Sequence, residues 1–254
     1  MMLLERINRC RGVEQNFNKT KYFFFKERWD SVIVYSSKAI SHNTSKEILN
    51  FTYYMRGYSF MKKKLFKETQ KEYSAVTIDF PLYNLIIRNL GGIALEQRKY
   101  KLAIHYFEKL NTLPKKNDSY LKKSSVIHDL GLCYFHLKEF EKAENYLLKG
   151  AALQKKENDT LLLISSYMDI ANLYYEQYKD SQAIPYFEKA YALSQKIKKF
   201  EIKQNAALNM AVVEENRKDL TKAMLYRKEY DTWKDSVNNQ NKIWAVAETE
   251  KNML

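Results

Sequence analysis

The chain has 254 residues, with 43 Lys and Arg against 30 Asp and Glu for a net charge of +13, 45% hydrophobic residues, six Gly, three Pro and two Cys. That composition excludes a collagen-like or low-complexity chain, a disulfide scaffold and global disorder. So few turn-forming residues also exclude a β-rich or dinucleotide-binding α/β fold, and leave a run of helices joined by short polar links.

The chain opens on Met1-Met2-Leu3-Leu4, an apolar run too short for a signal-peptide core, and no later stretch approaches the roughly 18 apolar residues of a membrane span. The expected location of the chain as given is the cytoplasm, or the periplasm if a leader has been trimmed. The first helix pair is degenerate, carried by Phe23, Trp29, Val32, Ser36 and Ala39, with Thr20 in a small-residue position. A second pair follows through Tyr53, Gly57, Phe60, Phe66, Thr69, Tyr73 and Val76. From there the pattern becomes regular. Gly91, Gly131, Ala171 and Ala211 stand 40 residues apart, and twelve residues after each lies Ala103, Ala143, Ala183 or Ala223. Small residues in both places let two helices approach closely. Leu90, Leu130, Ile170 and Met210 precede the first small residue, and Phe107, Leu147, Phe187 and Arg227 follow the second by four. This is a helical stripe on each of two helices.

The links carry helix-stop chemistry. Phe80-Pro81 and Leu113-Pro114 are expected to end second helices, because a residue before Pro avoids the helical region. Segments 115–118 and 155–159 read as polar links, and Pro185 as lying near a helix start. Tyr100, Phe140 and Leu220 share a turn position that Asp180 breaks, with Tyr178 the nearest substitute. A final helix is expected over Val237–Leu254, with Val237, Trp244, Ala247 and Leu254 on one edge.

The columns Ile127-Leu130-Gly131-Tyr134-Ala143-Leu147-Gly150 and Tyr167-Ile170-Ala171-Tyr174-Ala183-Phe187-Ala190 resemble the tetratricopeptide repeat family. The 40-residue period is similar to that of the long repeats in bacterial peptide-sensing regulators and sensor histidine kinases. The resemblance implies an all-α, right-handed α-solenoid of about six helix hairpins over residues 1–236, with residues 237–254 as a capping or signalling helix. It also implies a protein or extended peptide as partner, held in a concave groove lined by the first helix of each pair, and a sensory or adaptor role in bacterial signalling.

No phosphate-cradling glycine motif, H-E-x-x-H or C-x-x-C is present, so no enzymatic activity, cofactor or metal is expected. His128 and His136 lie eight residues apart, about 12 Å along a helix, too far to share one metal ion. Cys133 sits in an apolar helical pattern and reads as a free, buried thiol.

Within the resembled family, groove positions fall at fixed offsets from the small residue. Two residues before it stand Asn89, Asp129, Asp169 and Asn209, a ladder of amides and carboxylates. An amide offers a peptide backbone both a donor and an acceptor, whereas an ionised Asp only accepts. Further groove candidates are Tyr54, Tyr58, Arg88, His128, His136, Asn172 and Tyr175. Two alternatives are a regulator that dimerises through the helix from Val237, and a nucleic-acid-binding repeat using the basic N-terminal part. Residues 1–76 carry 15 Lys and Arg against 7 Asp and Glu, densest at Lys62-Lys63-Lys64, but no nucleic-acid motif accompanies them.

Overall fold

The structure, a computed structural model, describes residues 2–40, 44–113 and 121–253. Among them there are twelve helices and no strand. In chain order they are α1 (Met2–Phe25), α2 (Trp29–Ala39), α3 (Lys46–Lys62), α4 (Phe66–Ser74), α5 (Tyr83–Glu96), α6 (Tyr100–Lys109), α7 (Lys123–His136), α8 (Phe140–Lys156), α9 (Thr160–Tyr175), α10 (Asp180–Ser194), α11 (Phe200–Asn216) and α12 (Leu220–Met253). They pair as six consecutive hairpins. The chain divides into two compact units, residues 1–122 with three pairs and residues 123–254 with three more.

The small-residue position is the place of closest approach inside a pair. A Cβ built on Gly57 would lie 2.7 Å from the Tyr73 ring, one on Gly91 2.5 Å from Phe107, and one on Gly131 2.7 Å from Leu147. Ala171 and Ala211 fill the same position in the last two pairs with no exposed surface. In the first pair Thr20 and Ser36 take the two positions; both are fully buried and satisfy their hydroxyls on backbone carbonyls of their own helices. In the three glycine pairs the partner lies sixteen residues after the small residue.

That spacing is held by the turn. Glu27, Lys64, Arg98, Lys138, Tyr178 and Lys218 adopt positive φ, one in each pair and each seven residues after its small residue. The amide after each reaches back to the carbonyl five residues earlier, as in Lys99→Ala94 (2.8 Å), Glu139→Tyr134 (2.9 Å) and Asp219→Glu214 (2.9 Å). The positive-φ amide itself bonds three residues back, as in Arg98→Leu95. This is the Schellman arrangement, which satisfies carbonyls left over at a helix end. Glycine ordinarily takes the left-handed position; here none does. The glycines are used where helices touch.

Several expectations change. α4 ends at Ser74, so Phe80-Pro81 does not terminate it; Pro81 lies in the link just before α5, with Phe80 buried. Pro185 is inside α10, at its sixth residue and exposed, rather than near its start. Tyr178 does not replace Asp180 in the turn column: it is the left-handed residue and 94% exposed. The helix expected from Val237 begins at Leu220, and α12 runs unbroken through Asp231–Ser236 to Met253. Because α11 starts at Phe200, whose ring stacks on Trp233 at 5.7 Å, the part of α12 beyond about one further turn has no α11 beside it. Pro114, the 115–118 link, Leu254 and the side chains of Trp244 and Ala247 lie outside the described residues.

Three variants test this packing and its turns. Gly91→Ala should destabilise the chain by about 1 kcal/mol, because overpacking against Phe107 outweighs the gain in helix propensity. Gly92→Ala, with open space at its Cβ, should stabilise by about 0.5–1 kcal/mol in the same urea titration. At the turn, Lys218 is exposed and its side chain makes no bond within the described structure, so Lys218→Gly should relieve the left-handed strain and raise stability by about 0.5–1 kcal/mol.

Candidate functional site

The predicted site residues fall on first helices. In residues 1–122 the structure turns several of them inward. Asn89 on α5 is 8% exposed and its amide donates to the Tyr73 hydroxyl on α4 at 3.1 Å. Tyr54 is buried between Tyr73, at 6.3 Å and nearly parallel, and Phe80, at 5.8 Å. Tyr58 is half-buried beside Phe24 and Trp29. Burial pushes the Tyr54 hydroxyl up to about 12. Arg88 is half-buried on α5. The sequence pattern placed Tyr73 only as a core residue; its hydroxyl as the partner of Asn89 was not visible there.

In residues 123–254 the register position holds Asp129 on α7, Asp169 on α9 and Asn209 on α11, all half-buried. Asn172 and His136 are exposed and Tyr175 is half-buried, edge-on to Phe187 at 6.3 Å. His128 departs from the groove pattern. It is 4% exposed, and its Nε2 lies 2.8 Å from Asp169 Oδ2 on the next pair, while its Nδ1 is 3.8 Å from Asp129 Oδ1. Gly150 on α8 permits this burial: a Cβ there would meet the His128 backbone nitrogen at 3.3 Å. The imidazole therefore joins two rungs of the ladder and bridges α7 to α9.

The electrostatics follow from that geometry. Burial alone would lower the His128 pKa, but the hydrogen bonds and charges of Asp129 and Asp169 outweigh it and raise it to about 9. His128 is thus an imidazolium at neutral pH, held between two carboxylates. Cys133, one helical turn after Asp129, is a free thiol with no exposed surface. Burial and the Asp129 charge push it up to about 12, so it stays protonated and unreactive. Among the described residues no three His, Cys, Asp or Glu side chains come together as a metal site would need.

A model of the family described as "Tetratricopeptide repeat" matches residues 123–196. That match covers α7–α10 and the positions of Gly131, Ala143, Ala171 and Ala183. Residues 123–196 carry tetratricopeptide repeats. An all-α repeat fold extends over most of the chain, as three solved structures show. BtubC (BKLC) from P. vanneervenii superposes with a TM-score of 0.63 at 15% identity, over 89% of this chain and 92% of that one. PilF of Pseudomonas aeruginosa gives 0.62 at 17%, over 90% and 99%. A Rap protein complexed with Competence and Sporulation Factor gives 0.62 at 16%, over 92% and 68%. At these identities the likeness establishes the fold. A search of curated protein sequences returns no match.

The His128 bridge gives a pH prediction. Its pKa is near 6.5 unfolded and about 9 folded, so its contribution is full below pH 6.5, falls as pH rises and is gone above about 9. Asp169→Asn should lower the His128 pKa in an imidazole-proton NMR titration. The same variant should lose roughly 2 kcal/mol of stability at pH 6 and flatten the decline in stability between pH 6.5 and 9.

Proposed function

We propose that the chain is a non-catalytic scaffold that binds a protein or extended peptide along the first-helix faces of its repeats, as the sensory or adaptor region of a bacterial signalling protein. The observation that carries this reading is the register of Asp129, Asp169 and Asn209, which recurs on α7, α9 and α11 with solvent-accessible Asn172, Tyr175 and His136 beside it. A repeated polar position at one helical register suits a repeated backbone unit, and the neighbouring aromatics supply apolar contact area. The Rap protein of the same fold, complexed with Competence and Sporulation Factor, supports a peptide as ligand class. Asp169 is occupied on one side by His128, so the amides Asn172 and Asn209 are the groups best able to take a peptide unit as both donor and acceptor.

The test begins with peptides selected from a displayed library on the intact chain. Asn172→Ala combined with Asn209→Ala should weaken the selected peptide at least tenfold while leaving thermal unfolding within about 1 °C of the parent, because both side chains keep solvent contact. Unchanged affinity in that double variant refutes the register as the binding element.

A further inference from the structure

In residues 1–122 the three within-pair turns are fastened side by side. The Lys63 ammonium pairs with Asp30 at the start of α2, and Lys64 pairs with Glu96 at the end of α5 at 2.9 Å. These two ion pairs bring the turns at 25–30, 62–68 and 96–102 to one edge of the unit. The edge is strongly basic: those three segments contain nine Lys and Arg against four Asp and Glu. The corresponding turns of residues 123–254, at 136–142, 176–182 and 216–222, contain six against five. The excess is therefore a property of one edge, not of turns in this chain generally.

The same edge exposes apolar side chains among its cations. Phe25, the last residue of α1, is 79% exposed, Leu65 is 40% exposed and Leu102, in the first turn of α6, is 38% exposed. One comes from each turn. Lys26, Lys67, Lys99 and Lys101 stand exposed around them and make no ion pair within the described structure. Lys62 lies 5.9 Å over the Tyr58 ring, keeping its charge at the edge.

We propose that this edge docks on an anionic membrane surface, with Phe25, Leu65 and Leu102 entering the headgroup region and the lysines lying against the lipid charges. Charge complementarity names the occupant class, since lysines near an acidic leaflet are each attracted to it and short apolar side chains add burial. The apolar members decide between anionic partners. Two of the three are leucines, which offer no flat ring for a nucleobase to stack on, and bases bind single-strand proteins through such rings. Among the described residues no helix is long and apolar enough to cross a bilayer, so the proposed contact is made by this edge and not by a span within them. The edge belongs to the turns and leaves the first-helix faces out of the contact, so this inference stands apart from the peptide reading.

The experiment is co-sedimentation of the full chain with vesicles of phosphatidylcholine alone or with 30% phosphatidylserine. Binding is expected to the mixed vesicles only, and to fall at least tenfold between 0.1 M and 0.5 M salt. Lys67→Glu with Lys99→Glu should weaken it at least tenfold, and Phe25→Ser at least threefold, both with an unaltered far-UV spectrum. As a separate readout, Phe25→Trp should show more quenching by brominated lipid than the parent chain. No binding to the mixed vesicles, equal binding to pure phosphatidylcholine, or retention on single-stranded RNA without vesicle binding would each overturn the proposal. Unaltered quenching in Phe25→Trp would overturn the insertion of the apolar edge.

Discussion

The structure depends on one close approach, the contact between a small residue on the first helix of a pair and the side chain sixteen residues later on the second. Gly57 under Tyr73, Gly91 under Phe107 and Gly131 under Leu147 leave no room for a Cβ. The left-handed residue divides that interval at the same point in every pair, seven residues after the small one and nine before its partner. This holds even in the degenerate first pair, with Thr20, Glu27 and Ser36. The distance from one small residue to the next is not constant: it is 37, then 34, then 40. The turn and its contact are thus the constant unit, and variation is taken up in the later part of the second helix and the link that follows it. α4 has 9 residues and α6 has 10, whereas α8 has 17 and α10 has 15. Lengthening there leaves the turn and the contact undisturbed.

This division explains which features the sequence disclosed. The small residues recur because sterics at the contact admit little else, so four copies at a fixed spacing were legible. The turns were not, because the left-handed position costs a non-glycine residue only about 1–2 kcal/mol and can be occupied by Lys, Arg, Glu or Tyr. Reading scarce glycine as scarce turns reached the right fold class through the wrong use of glycine. Tyr178 was misread for the same reason: its aromatic character suggested burial, while its place in the turn sets its exposure. The continuity of α12 has a plain cause. No Gly or Pro occurs from Leu220 to Leu254, so nothing in Asp231–Ser236 stops the helix.

The candidate site was legible in register but not in burial. Periodicity placed Asn89, Asp129, Asp169 and Asn209 on equivalent positions, and the helices confirm that they occupy them. What each does there depends on partners on the second helix beside it or on the next pair, 16 residues away for Asn89 and 41 for His128. Asn89 meets a tyrosine hydroxyl on the preceding second helix. His128 crosses to Asp169, 41 residues on. No local pattern encodes such partners, since an exposed and an inward-turned histidine occupy the same period.

The His128–Asp169 bond also constrains what the first-helix face can do. Elsewhere the pairs in residues 123–254 bury apolar side chains such as Leu163, Ile164 and Leu173 and are bonded through neutral tyrosine hydroxyls, Tyr174 to Glu144 and Tyr191 to Glu229, each at 2.7 Å. A buried imidazolium between two carboxylates adds a directional requirement, because leaving either charge unpaired inside the stack is far costlier than losing a surface ion pair. Asp169 therefore serves two masters, the neighbouring repeat on one oxygen and solvent on the remainder of its surface, 27% of the side chain. On the proposed reading, a ligand that draws on Asp169 would weaken the bridge and one that leaves it alone would preserve it, so occupancy of this face would be coupled to how firmly α7 and α9 are held together. The coupling needs no further moving part: if Asp169 recognises a ligand as proposed, it follows from a recognition side chain and a packing side chain lying 2.8 Å apart.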